Sequence, residues 1–416
     1  MRTKDYHFTD GMGRPFFWLA DTAWNIALRA PEEEWREYLT LRAEQEFTVI
    51  QFVATQWRGC SKPWMGRPFD VTSDGGLVFN EGAWEALDRF VELTRAAGLV
   101  PAPVMLWANT PTCPGQSLSE AHAIEVGRRQ VARWGGGPVF WLLGGDGVYD
   151  NEEGAERWRR IGRGIFHDCP EALVTMHPCG VNWPTPYFRN EPWFRFSGIQ
   201  SGHGVDEKSL RFLVDGPPAK EWEGLGHPIV NLEPNYEMAR AYGTDIILND
   251  YHVRRASWWS VLCWPTVGVT YGNNAIWIWG SDADSRAEGH DAPWRSGPWR
   301  EGLRTQGIEH LGVLRKFMEG IPWTRLRPGG EVLCEQPGEN SPEAWIAVAA
   351  APELLAAYLP VGGDIHLRAD LLPGKRFAWF DPREGREVAS GVIESEDRIK
   401  LEAPDEQDWV LRVDNG

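Results

Sequence analysis

The stretch Val139-Phe140-Trp141-Leu142-Leu143-Gly144-Gly145-Asp146 decides how this chain is read. Its five leading apolar residues run without a polar break, the mark of a strand buried on both faces. Gly144 and Gly145 end the run and permit close backbone approach, and a carboxylate follows at the C-terminal end. A second stretch, Pro228-Ile229-Val230-Asn231-Leu232-Glu233-Pro234, is also a short apolar strand that ends in an acid. Two buried parallel strands, each delivering one carboxylate at its C-terminal end, meet the requirement of a barrel that cleaves glycosidic bonds.

Outward from this pair the chain alternates. Strands are predicted over residues 16–21, 47–53, 99–107, 139–146, 173–178, 196–203, 228–234 and 266–272. Pro101 and Pro103 count against the third. Between them lie helical patterns. Pro31 opens the first helix, with Glu32, Glu33 and Glu34 at its positive end. Asn80 caps the second and Gly98 closes it, Ser119 starts the next, and others follow over 152–166, 207–214, 245–262 and 304–318. Eight strand–helix repeats predict a (β/α)8 TIM barrel over residues 1–324. A doubly wound sheet is the alternative, but it requires a phosphate-type Gly-rich first turn, and none follows strand one. After Pro322 helical periodicity gives way to short alternating stretches separated by turns such as Pro360-Val361-Gly362-Gly363. Residues 325–416 are therefore predicted to form a small antiparallel β-sandwich.

The formal net charge is -17 over 416 residues, which leaves no basic field for nucleic acid or anionic membrane as partner. No apolar run reaches the roughly eighteen residues of a membrane span. The N-terminus leads into fold-like sequence without an apolar signal region, so a cytoplasmic location is expected. The six cysteines form no Cys-x-x-Cys, so reduced thiols are expected rather than a zinc or redox motif. Tryptophan is abundant, at 24 residues; indoles suit sugar faces, and they also fill cores, as Trp35 and Trp84 at helical spacing are expected to do.

In a barrel the polar residues at strand ends decide function. Here they are Asp21, Gln51, Trp107, Asp146, His177, Gln200, His203, Glu233, Tyr236, Glu237, Tyr271 and Asn273, with Trp24 just after the first strand. Glycoside cleavage needs an acid to protonate the leaving oxygen and a carboxylate to attack or to activate water, which Asp146 and Glu233 can supply. Trp141 and Leu143 beside Asp146 are expected to desolvate it, raise its pKa and keep it protonated. The bland reading of each acid is a buried salt bridge to an arginine at the barrel mouth. His177 and His203 fall where sugar hydroxyls would lie, or are satisfied structural histidines. No metal is expected, because no H-x-H on strand one or H-E-x-x-H occurs; Asp282, Asp284 and Asp291 could hold a cation but read first as a solvated acidic loop. G-x-S-x-G is absent, and no cofactor is implied.

Several of these stretches also resemble a known family. Pro15-Phe16-Phe17-Trp18-Leu19-Ala20-Asp21-Thr22-Ala23-Trp24, Val49-Ile50-Gln51, Leu143-Gly144-Gly145-Asp146, Glu233-Pro234-Asn235-Tyr236-Glu237 and Thr270-Tyr271-Gly272 look like motifs of the apiosidase-like glycoside hydrolases, a family 140-like group. Trp379-Phe380-Asp381-Pro382-Arg383 resembles their appended β-domain, once described as collagen-binding. The resemblance implies a retaining mechanism with Asp146 as acid/base and Glu233 as nucleophile. It also implies an oligosaccharide substrate, the family's known one being the apiose linkage of a pectic side chain. Pectin-degrading members are usually exported, so the lack of a signal region suggests a small, imported oligosaccharide. Two other readings stay open: an inert carbohydrate-binding or scaffolding protein on the same fold, and a metal-dependent amide hydrolase that a chelator would silence.

Overall fold

The computed structural model describes residues 1–290, 297–394 and 397–415. A small three-stranded antiparallel sheet at the N-terminus (Arg2–Lys4, His7–Thr9 and Pro15–Phe16) precedes the barrel. Eight parallel strands then follow: β1 (Trp18–Thr22), β2 (Val49–Val53), β3 (Val100–Trp107), β4 (Phe140–Gly147), β5 (Leu173–Pro178), β6 (Ser197–Ile199), β7 (Ile229–Asn231) and β8 (Thr266–Gly272). They hydrogen bond in the order β5-β4-β3-β2-β1-β8-β7-β6, the ring expected from the sequence. The helices between them include α1 (Glu32–Glu44), α2 (Glu81–Ala96), α3 (Glu120–Trp134), α4 (Glu152–Phe166), α5 (Glu207–Asp215), α6 (Asp250–Leu262) and α7 (Gln306–Glu319).

Closure at the β5–β6 seam is thin. It includes a parallel bridge between Val174 and Phe194, the bond from the Arg195 amide to the Val174 carbonyl at 2.9 Å, one from the Gly198 amide to Thr175 Oγ1 at 2.8 Å, and one from the Val181 amide to the Gln200 carbonyl at 2.9 Å past the strand ends. Gly198 is required there: a Cβ would lie 2.4 Å from the Met176 carbonyl.

Some boundaries differ from expectation for identifiable reasons. β3 accommodates Pro101 and Pro103 because its ladder to β4 begins at Val104, past both, so neither missing N–H is needed on that side. Pro31 is the N-cap of α1 rather than its first residue. α6 starts at Asp250, later than expected, because Asn249 and His252 form a reciprocal capping box. Strands β6 and β7 are shorter than their apolar runs.

The C-terminal domain contains β9 (Arg327–Pro328), β10 (Ala347–Ala351), β11 (Leu354–Leu359), β12 (Asp364–Arg368), β13 (Arg376–Asp381), β14 (Arg386–Val392), β15 (Arg398–Glu402) and β16 (Trp409–Asp414). Six form an antiparallel sheet in the order β9-β10-β11-β16-β13-β14, and β12 pairs with β15. Leu355, Leu367, Trp379 and Leu411 fill the core of this domain.

This domain sits on α6 and α7. Tyr358 stacks on Trp258 with centroids 5.8 Å apart, Phe380 meets Phe317 at 4.8 Å, and Trp259 Nε1 donates to the Trp345 carbonyl at 3.0 Å. At the centre Arg254 is bidentate to Asp408 (2.7 and 2.6 Å), which also accepts from the Tyr358 hydroxyl at 2.9 Å. Both charges are buried, with side chains 4% and 2% exposed. Removing one partner of such a pair leaves an uncompensated buried charge. Asp408→Ala leaves Arg254 with only the partly exposed Asp250, 3.1 Å away, as carboxylate partner, and is expected to cost up to about 3–5 kcal/mol, read as a lower midpoint in urea unfolding. An exposed ion-pair variant such as Glu353→Ala should shift it by under about 1 kcal/mol.

Candidate active site

Loops at the C-terminal ends of the barrel strands enclose a pocket of ≈ 200 Å³. Asp146 and Glu233 both open into it, the first from the end of β4 and the second from just beyond β7. Trp24, Trp57, Trp107 and Trp277 form its apolar wall. Trp57 and Trp107 pack with centroids 4.4 Å apart, and Trp24 meets Trp107 edge-on at 5.4 Å. Trp141, expected beside Asp146, instead faces the helix layer against Trp134 and Phe166.

Asp146 sits on an unusual piece of backbone. Its φ is +51°, a left-handed conformation costly for a residue with a Cβ. The flanking glycines make room for this turn. A Cβ on Gly144 would lie 2.5 Å from the Tyr149 hydroxyl, and one on Gly145 would lie 2.6 Å from the Trp107 ring. The motif therefore serves aromatic packing under the acid as well as close backbone approach. Asn109, from the loop after β3, donates to Asp146 Oδ2 at 2.9 Å and fixes the carboxyl.

The two acids have opposite electrostatics. Burial raises the Asp146 carboxyl, the negative charge of Glu233 raises it further, and His177 and Asn109 only partly offset this, leaving it at about 6. Burial alone would also raise Glu233. His177 and His203 outweigh it and hold the carboxyl down to about 2. His203 Nε2 lies 3.1 Å from Oε1 in hydrogen-bond geometry; His177 Nε2 lies 3.3 Å from Oε2 at ion-contact range. Below about pH 6 one carboxyl thus stays protonated while its neighbour is ionised, the division of labour that acid–base chemistry at a glycosidic bond requires.

Of the other residues singled out in the sequence, Gln200, His203 and Tyr236 line the pocket together with Trp24 and Trp107. His177 lies behind Glu233, edge-on to Trp24 at 5.2 Å. Gln51 lies inside the barrel, where its Nε2 donates to Thr22 Oγ1 and to the Leu232 carbonyl, bracing β2 against the Glu233 segment.

Asp21, Tyr271, Glu237 and Asn273 are placed elsewhere, contrary to the expectation of a shared mouth. Asp21 is ion-paired to Arg42 of α1 at 2.5 Å and accepts from Tyr38 at 2.6 Å, all buried between barrel and helix. Tyr271 donates to Glu237 at 2.7 Å, Glu237 accepts from the Gly307 amide, and Asn273 Nδ2 donates to the Tyr271 hydroxyl. These groups fasten the β8 end to the start of α7.

The pocket also recruits residues that the sequence reading did not single out: Asn109 beneath Asp146, Trp57, Arg58, Tyr242, Trp277 and His290. Trp277 lies in the short helix Asn274–Ile278 and the others on loops past the strand ends, beyond the reach of a rule applied to strand ends alone. Among the described residues no group of three or more His, Cys, Asp or Glu is placed to hold a metal. Asp282 and Asp284 lie in an exposed turn, and Asp291 lies outside the described residues. No described helix is long and apolar enough to cross a membrane.

Solved structures share this architecture in whole or in part. A glycoside hydrolase superposes with a TM-score of 0.83 at 21% identity, over 100% of this chain and 96% of that one. A family 5 glycoside hydrolase from Bacteroides vulgatus ATCC 8482 gives 0.82 at 21% identity, over 100% and 93%. An exo-β-1,4-mannosidase from Opitutaceae bacterium strain TAV5 gives 0.52 at 14% identity, over 76% and 62%. The fold is thus the barrel with appended β-domain found in glycoside hydrolases. The family model "Apiosidase-like, catalytic domain" matches residues 2–325, and the chain belongs to that family of glycoside hydrolases. A second model, "Putative collagen-binding domain of a collagenase", matches residues 328–414. No curated protein sequence matches significantly.

The raised Asp146 also has a consequence for stability. An acid whose folded-state pKa exceeds its unfolded value of 3.8 costs nothing below that value, costs progressively more as pH rises, and costs its full penalty above about 6. Asp146→Asn is therefore expected to stabilise the protein at pH 7, by up to about 3 kcal/mol. The gain should vanish near pH 3. Melting temperatures of the two proteins across that range check this; a pH-independent difference would refute the electrostatic origin.

Proposed function

We propose that this protein is a retaining glycosidase in which Asp146 is the acid/base and Glu233 the nucleophile. The observation that carries the reading is the split between two carboxyls in one pocket, one raised to about 6 and the other held at about 2. Glu233, ionised and steadied by two imidazoles, attacks the anomeric carbon. Asp146, protonated and fixed by Asn109, gives its proton to the leaving oxygen and then takes one from the water that releases the sugar. Trp107 Nε1 and Gln200 Oε1 have no hydrogen-bond partner in the protein; they supply a donor and an acceptor for sugar hydroxyls. The pocket's ≈ 200 Å³ suits one sugar ring, so the enzyme removes a terminal residue. The matched family's name makes apiose at the end of a plant pectic oligosaccharide, the specificity of family 140, the substrate proposed.

The two acids are distinguished by leaving group. On an aryl glycoside with a good phenolate leaving group, Asp146→Asn should retain its first step. The covalent intermediate should then accumulate as a burst, and azide should rescue turnover. Glu233→Gln should be inactive on activated and natural substrates alike. In the wild type kcat/KM should fall tenfold per pH unit above about 6, and Asp146→Asn should lose that limb. Equal leaving-group dependence in the two variants would overturn the assignment, and sugar binding without turnover by the wild type would establish an inert binding protein instead.

A further inference from the structure

A second cavity, of ≈ 590 Å³, opens on the same face of the barrel as the catalytic pocket. The loops after β1, β2 and β8 form it, and Trp64, Trp279 and Trp299 line it together with Arg29, Glu288 and Arg300. Trp64 is 53% exposed, although large aromatic side chains in this chain are mostly buried. Its ring is backed by Trp35 at 6.0 Å. Trp279 and Trp299 stack at 4.3 Å with an interplanar angle of 16°.

The cavity is a built feature rather than a gap between loops. Trp279 has φ +58°, a left-handed backbone that a bulky residue adopts only when its surroundings enforce it. Here Glu34 accepts from Trp279 Nε1 at 2.7 Å and Trp299 covers the ring. Trp277, two positions earlier, lines the catalytic pocket. The short segment Trp277-Ile278-Trp279 therefore sends one indole into each cavity.

The partition between the cavities is thin and made of two pinned segments. Arg58 and His290 face the catalytic side, and Cys60 and Glu288 face the second cavity. Gly289, at φ +67°, lies so close that a Cβ would be 2.7 Å from the Arg58 carbonyl. Glu288 accepts from Ser61 and from Arg29 at 2.9 Å, and Arg29 also donates to the Gly59 carbonyl at 2.8 Å. Burial pushes the Cys60 thiol up to about 11, so it is a neutral wall group and not a nucleophile.

We infer that this cavity is a second saccharide subsite, which holds a distal unit of the glycan whose terminal residue occupies the catalytic pocket. The inference rests on the glycosidase reading of that pocket for its orientation. Trp279 and Trp299 are buried against each other, so the open indole face is that of Trp64; with the guanidinium and carboxylate groups around it, it matches the two aspects of a sugar, an apolar C–H face and a rim of hydroxyls. An apolar partner would leave Arg29, Glu288 and Arg300 facing it, which argues against a hydrophobic ligand.

The test uses Trp64→Ala in the full chain, because this half-exposed side chain can be removed without opening the core. The probes are pectin-derived oligosaccharides of three or more units and an aryl monoglycoside. Loss of the indole should raise KM for the oligosaccharides by roughly tenfold, with kcat little changed. Kinetics on the aryl monoglycoside, which fills only the catalytic pocket, should stay at wild-type values. Calorimetric binding of the same oligosaccharides to Glu233→Gln and to the double variant should show the same roughly tenfold weakening. If neither probe is turned over by the wild type, the glycosidase reading fails, and calorimetry with the single Trp64→Ala variant alone decides the subsite. Oligosaccharide affinity that Trp64→Ala leaves unchanged, or no oligosaccharide binding by the parent protein, would overturn the inference, as would an equal loss on both probes.

Discussion

Two carboxylates buried in one small pocket repel each other, and the rest of the active face follows from how that repulsion is resolved. Desolvation acts on both acids. What separates them is that Glu233 has two imidazoles against it and Asp146 has a single amide donor. Those partners come from different strands: His177 from β5, His203 from beyond β6, Asn109 from beyond β3. A closed parallel barrel brings such ends together around one axis, which gives the eight-strand ring a chemical role beyond packing.

The sequence was most legible where physics is local. Apolar runs and caps locate the strands and helices, because burial on both faces and helix termini leave direct traces in residue type. Sidedness, too, is legible in the sequence. Successive residues of a strand point to opposite faces. Trp18 Nε1 bonds Thr270 Oγ1, and Thr22 Oγ1 bonds Gln51, so these side chains share the barrel interior. Asp21 and Tyr271, each one position out of phase and paired in register, must then face the helices. An acid at a strand end is thus a site candidate only if its parity is right. Trp57, Arg58 and His290 were not legible in this way, since the conformation of long loops is set by tertiary contacts.

The abundance of tryptophan resolves into distinct uses. Trp18, Trp84 and Trp134 pack the barrel and its helices, and Trp24, Trp57, Trp107 and Trp277 wall the pocket. Trp258 and Trp259 hold the C-terminal domain. That domain buries the Arg254–Asp408 pair against α6, so it is a structural continuation of the barrel rather than a tethered module. Large rigid indoles gain much burial per residue and lose little side-chain entropy, and this suits a fold that builds several aromatic surfaces at once.

The seam between β5 and β6 has a mechanical meaning. It is the thinnest joint of the ring, held by one backbone bridge, a threonine hydroxyl and a single bond from the Val181 amide to the Gln200 carbonyl at its mouth. His177 stands on one side of that joint and His203 on the other, and both lean on the same carboxylate. Glu233 therefore ties the two sides together through its imidazole contacts, a brace across the ring where the strand ladder is thin.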